Sequence, residues 1–67
     1  MEASWEANEI ERWVMNTESL YVDAKRAVKH GDLSNLHDVC GAAADMAGIK
    51  ASTADIQQAA QMVREAL

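Results

Sequence analysis

The sequence predicts an all-α fold, with one long N-terminal helix and two shorter helices closing into a homodimeric bundle. Three observations predict it. Between Ile10 and Val28, apolar or small side chains recur at Ile10, Trp13, Val14, Thr17, Leu20, Tyr21, Ala24, Ala27 and Val28, the i, i+3, i+4 spacing of a single helix face. Proline is absent, and Gly31 and Gly48 fall where two periodic stretches end. A chain of 67 residues buries only about 60% of the surface its unfolded form exposes, so its core needs reinforcement. Cys40 is the sole cysteine, which excludes an intrachain disulfide, and no Cys/His cluster offers a zinc site. A second copy of the chain is the reinforcement that remains.

The first helix is predicted over residues 4–30. Ser4 is its N-cap candidate, Glu6 and Glu9 suit the positive end of its dipole, and Lys25, Arg26 and Lys29 suit the negative end. Gly31 can take the left-handed conformation that stops it. At a rise of 1.5 Å per residue, about 26 residues make a rod near 40 Å long. Asn16 and Thr17 are both good caps and could interrupt it, but the apolar phase runs through them without a slip, and the prediction is an unbroken helix. Its seam, facing the core or a second copy, is Ile10, Trp13, Val14, Leu20 and Tyr21.

The second helix, residues 34–47, follows Asp32 or Ser34 and turns Leu33, Leu36, Val39, Cys40, Ala43, Met46 and Ala47 to one side. Gly41 costs it about 1 kcal/mol relative to Ala, unless it permits a close helix contact. Gly48 is the stop. The third helix, residues 53–66, opens at Ser52 or Thr53, where Ser52 with Asp55 resembles a capping box with Asp in place of Glu. Its inner face is Ile56, Ala59, Ala60, Val63 and Leu67. Residues 1–67 read as one helical domain, with no repeat, linker or low-complexity segment.

Composition narrows the function. Eleven acids against six Lys and Arg give a formal net charge of −5, divided as −2 over residues 1–31 and −3 over residues 32–67. Neither half has the basic footprint of a phosphate-backbone binder. Glu2, Glu6, Glu9 and Glu11 stand where a secretory leader would be apolar, and no run approaches the roughly 20 apolar residues that span a bilayer. The expected setting is cytoplasmic, without a membrane partner. His30 and His37 with Asp32 and Asp38 fit no metal-ligand spacing. Cys40 shares its helix face with Leu36 and Ala43, as a buried small apolar residue does. No nucleophile–base or paired-carboxylate pattern is present, so the chain is expected to be neither an enzyme nor a holder of a cofactor or metal.

Ala44, Gly48 and Ser52-Thr53 fall where a helix-turn-helix motif places its small residue, its turn glycine and the start of its recognition helix. Residues 34–66 would then be a small DNA-binding regulator. The would-be recognition helix, however, opens Ala54-Asp55-Ile56-Gln57-Gln58 and has no cation before Arg64. Gln can read adenine, but nothing there holds phosphates. A glycine-stopped helix followed by a serine-capped one accounts for the same residues, and no nucleic-acid partner is expected.

The face of the first helix opposite the seam is more informative. Trp5, Asn8, Arg12, Met15, Ser19, Val22, Arg26 and Lys29 form a second stripe with steps of three and four. Trp, Met and Arg are enriched at protein interfaces, so Trp5, Arg12, Met15, Val22 and Arg26 are the predicted protein-binding residues.

Within this helix, Trp13-Val14-Met15-Asn16-Thr17-Glu18-Ser19-Leu20-Tyr21 resembles a motif of short uncharacterised phage and mobile-element proteins, W-[IV]-x-N-[DT]-E-x-L-Y. It covers nine residues, and the usual upstream Trp spacing differs here. In size, acidity and helical pattern the chain is also similar to small phage early proteins that inhibit host factors. Among these are quorum-sensing anti-activators that bind the DNA-binding domain of a LuxR-type regulator, some also acting on a pilus-assembly ATPase. The resemblance implies a phage-type inhibitor that masks a host protein, with a structural assembly subunit as a further alternative.

Overall fold

Four helices form where three were predicted: α1 (Trp5–Asn16), α2 (Glu18–His30), α3 (Leu33–Ala47) and α4 (Thr53–Ala66). They are seen in a computed structural model that describes residues 3–67. The long N-terminal helix is thus corrected to two, folded at an elbow. Thr17 leaves helical geometry, with φ −110° and ψ 111°, and α2 starts afresh behind it with Glu18 in its first turn. At the end of α1, the Asn16 Nδ2 donates to the Arg12 carbonyl at 2.9 Å, giving the frayed end a side-chain partner. The apolar phase survives the break. Ala7, Ile10 and Val14 are buried on α1, and Leu20, Ala24 and Ala27 on α2. Periodicity reports which face is inward, not whether the axis is straight, and Thr17 was the weakest member of the pattern.

The other two junctions are fixed by local chemistry. Gly31 has φ 68° and ψ 24°, the left-handed conformation that costs other L-residues about 1–2 kcal/mol. The Gly31 N–H donates to the Val28 carbonyl at 3.2 Å and the Asp32 N–H to the Ala27 carbonyl at 2.9 Å, the pair of bonds that defines a Schellman motif. Asp32 also opens α3, its carboxylate accepting from the Asn35 N–H at 3.1 Å. One residue therefore closes α2 and caps α3. Gly48, with φ 70°, repeats the arrangement: its N–H reaches the Asp45 carbonyl, and the Ile49 N–H reaches Ala44. Ser52 and Asp55 complete the capping box that opens α4.

Both α1 and α3 touch all three other helices, while α2 and α4 flank them and scarcely meet. The buried core comprises Ile10, Val14, Leu20, Leu36, Val39, Cys40 and Val63, with seven alanines filling the remaining positions. Alanine lets helices approach closely but buries little area, so the few large side chains carry most of the hydrophobic stabilisation, about 1.5–3 kcal/mol for each fully buried Val, Leu or Ile. Leu33 and Met46, predicted for the inner face of the second helix, are instead 47% and 56% exposed. Leu33 belongs to the first turn of α3, and Met46 sits at the edge of the arc defined by Leu36, Cys40 and Ala43. Gly41 makes no close helix contact, since a Cβ added there would meet nothing within 4 Å.

The elbow removes one ground for a second copy, the long uncovered rod, and leaves the other, the small size of the core, as it was. Cα atoms span 26 × 24 × 17 Å with a radius of gyration of 10.2 Å, close to the roughly 11 Å expected of a closed domain of this length. Ile10, Val14 and Leu20 are covered within one chain. No 40 Å rod remains for a second copy to cover.

Candidate protein-binding surface

The predicted stripe is carried by two helices rather than one, and the elbow separates its members. Trp5, in the first turn of α1, is 65% exposed. Arg12 is exposed and forms an i, i+3 pair with Glu9 at 3.4 Å, the kind of surface ion pair worth under about 1 kcal/mol. Arg12 also lines a shallow cavity at the elbow with Trp13, Asn16 and Thr17. Met15 is half-buried and lines no cavity among those described. Val22 and Arg26 are exposed on α2 and border a second cavity, of about 410 Å³, with Tyr21, Lys25, Lys29 and His30.

Two seam residues move outward. Trp13 and Tyr21, grouped in the sequence with Ile10, Val14 and Leu20, are half-buried. Trp13 packs against the edge of the core while also walling the elbow cavity. Tyr21 faces the α2 cavity, where the Lys25 ammonium lies 5.9 Å from the ring centroid, within cation–π range. From the sequence, Lys25 is a helix-dipole partner, Lys29 is both a dipole partner and the end of the outer stripe, and Tyr21 belongs to the seam, so Tyr21, Lys25, Lys29 and His30 are not expected in one patch. Their i, i+4 spacing was the available signal. The nine residues from Trp13 to Tyr21 are the elbow itself: the end of α1, Thr17, and the first turn of α2.

The start of α4 is already occupied. The Asp55 carboxylate accepts from the Ser52 N–H at 3.0 Å and from the Ser4 hydroxyl at 2.8 Å, and the Gln58 side chain accepts from the Ser4 N–H at 3.0 Å. Ser4 Oγ in turn accepts from the Ala7 N–H at 3.1 Å. The first turns of α1 and α4 are therefore tied together through one carboxylate. The Ser52 backbone and Ser4 hydroxyl bonds hold the Asp55 carboxyl below the usual aspartate range. Sequence analysis anticipated the Ser52–Asp55 box but not the bond from Ser4, fifty-one residues away.

A third cavity, of about 440 Å³, lies between the start of α3 and the second half of α4, with Leu33, Leu36 and Ala60 beneath His37, Arg64 and Glu65. Cys40 is fully buried, and desolvation pushes its thiol up to about 11, so the thiolate that a nucleophile requires is scarce at neutral pH. Among the described residues no three His, Cys, Asp or Glu side chains cluster as metal ligands, and no helix is long and apolar enough to cross a membrane. Neither a protein-family model, nor a curated protein, nor a solved structure matches the chain.

Proposed function

We propose that this chain works by binding and masking another protein, in the manner of a phage-type inhibitor acting on a host regulator or machine. One observation carries the reading: large interface-type side chains stay outside after the core has closed. Ile10, Val14 and Leu20 fill the interior, while Trp5 remains 65% and Val22 44% exposed on the outer side of α1 and α2. Single exposed apolar residues are ordinary. Here each has an exposed arginine on its own helix, Arg12 with Trp5 on α1 and Arg26 with Val22 on α2, a residue type that anchors interfaces.

The helix-turn-helix reading has weaker support. Its turn glycine does take the left-handed conformation, but the first turn of α4, which would approach the base edges, is packed against the start of α1 through Ser4, Asp55 and Gln58. The Asp55 carboxylate also puts a negative charge in that first turn, unfavourable beside a phosphate backbone.

The test is affinity capture from a bacterial lysate, with Trp5→Ala, Arg12→Ala and Met15→Ala variants. A stoichiometric partner is expected, its affinity falling about tenfold or more for a hot-spot truncation. Thermal melts of Trp5→Ala and Arg12→Ala should stay within about 0.5 kcal/mol of the parent. A DNA footprint that survives about 0.15 M salt would instead favour the regulator reading.

A further inference from the structure

Positive charge in this acidic protein is concentrated on α2. Lys25, Arg26 and Lys29 are half of its six Lys and Arg residues, and with Asp23 they give residues 21–30 a net charge of +2. The remainder of the chain is therefore at −7, from the overall −5. Lys29 and His30 suit the helix C-terminus as dipole partners. Lys25 and Arg26 lie a turn earlier, and the dipole does not account for Tyr21 and Val22 beside them. Among the described residues the one ion pair joins Arg12 to Glu9, so none of the α2 cations is in direct contact with a carboxylate there. These side chains surround an open cavity with Val22, 44% exposed, at its apolar border.

Resting on the protein-binding reading above, we propose that the α2 face of Tyr21, Val22, Lys25, Arg26, Lys29 and His30 receives an acidic helix of the partner protein. Val22, Arg26 and Lys29 stand at i, i+4 and i+7, and Tyr21, Lys25 and Lys29 at successive steps of four. Cations one turn apart match carboxylates one turn apart on a facing helix, and Val22 with the Tyr21 ring offers that helix an apolar contact one turn before them. The patch spans about two turns, roughly 12 Å along the axis. A nucleic acid or an anionic membrane presents charge well beyond that length and, on a molecule 26 × 24 × 17 Å, would be opposed by the −7 remainder. A short acidic helix stays inside the patch. Charge complementarity of this kind acts mainly on encounter rate and partner choice.

The probe is a synthetic amphipathic peptide with glutamates one turn apart flanking leucine, titrated into the isotopically labelled full chain and followed by amide shifts. Shifts confined to residues 21–30 are expected, weakening as salt rises from about 0.05 M to about 0.5 M. Arg26→Glu/Lys29→Glu should reduce affinity about tenfold or more while keeping the parent's helical spectrum. Lys50→Glu, a charge reversal at an exposed residue between α3 and α4, should leave peptide binding unchanged. If the double variant fails to fold, Arg26→Gln and Val22→Ala provide the same reading with smaller losses. Shifts elsewhere, no shifts, or equal binding of a lysine-for-glutamate peptide would overturn the proposal. So would tighter binding of duplex DNA or phosphatidylserine vesicles, or concentration-dependent shifts on α2 without peptide, which would mean that a second copy occupies the face. A captured partner that depends on Trp5 and Arg12 but is indifferent to the α2 cations would overturn this inference alone and leave the proposed function standing.

Discussion

The junction between α2 and α3 and the elbow between α1 and α2 bend the chain by different means. At the first, Gly31 supplies a left-handed residue, two backbone bonds close α2, and the Asp32 carboxylate opens α3. At the second there is no glycine, and the Thr17 side chain makes no cap bond to α2. The Tyr21 N–H bond to the Thr17 carbonyl, at 2.8 Å, is available to a continuous helix as well. What holds the elbow is burial on both sides of it, with Ile10 and Val14 before and Leu20, Ala24 and Ala27 after. A bend encoded locally survives in isolation; a bend imposed by the core depends on the core.

Truncating the core beside the elbow should therefore have the largest effect. Leu20→Ala is expected to cost about 2–5 kcal/mol, a large share of the roughly 3–10 kcal/mol available to a domain of this size. Urea denaturation followed by circular dichroism would measure it. A cost under 1 kcal/mol would mean that Leu20 does not hold the bend.

The glycine junctions come next, and the three glycines divide them cleanly. Gly48→Ala forces a side chain into a φ of 70° and should cost about 1–2 kcal/mol. Gly41→Ala enters open space in the middle of α3 and should stabilise by up to about 1 kcal/mol, as the removal of an interior helix glycine does. Paired melts of the two variants should move in opposite directions. If both destabilise, a Cβ at Gly41 meets a neighbour in solution, contrary to the open space seen beside it.

The tie between α1 and α4 has a pH signature. Because the folded carboxyl of Asp55 sits below its ordinary range, its contribution to stability is complete above the unfolded value of about pH 4. It is lost as pH falls through the lower folded value, because the unfolded chain takes up the proton first. Stability should fall on acidification below about pH 4 in the parent, and Asp55→Asn should flatten that limb. Ser52→Ala should cost about 1 kcal/mol at neutral pH. An unchanged acid limb in Asp55→Asn would assign the acid sensitivity to other carboxylates.

The smallest effect should be at the elbow residue itself. Thr17→Ala removes no cap bond and should change stability by less than about 0.5 kcal/mol, against the cost of about 1 kcal/mol at Ser52. A loss of more than 1 kcal/mol at Thr17 would show that the elbow is locally encoded after all.

These differences explain what the sequence could disclose. Ser4, Gly31, Gly48 and the Ser52–Asp55 box act over a few residues, so their roles are readable from spacing, and all four stand where they were predicted. Thr17 bends because of residues far from it in the chain, and an unbroken apolar phase is compatible with either a rod or an elbow. The same limit affected the surface. Of the two faces assigned from spacing, Trp5, Arg12, Val22 and Arg26 are exposed and Ile10, Val14 and Leu20 buried, while Met15 of the outer stripe and Trp13 and Tyr21 of the seam are all half-buried. Spacing could not show that the elbow parts Arg12 from Arg26, or that Tyr21 faces outward among Lys25 and Lys29.

One amphipathic stretch folds back at Thr17 and closes its core within a single chain, with Trp5, Arg12, Val22 and Arg26 left exposed. The most direct test is the profile of ¹³Cα secondary shifts across residues 5–30 of the full chain in solution. The account predicts helical values on both sides of a drop at Thr17 to the extended range, in agreement with its φ of −110° and ψ of 111°. Unbroken helical values from Trp5 to His30 would contradict it, because a straight rod would leave Ile10, Val14 and Leu20 to be covered by a second copy.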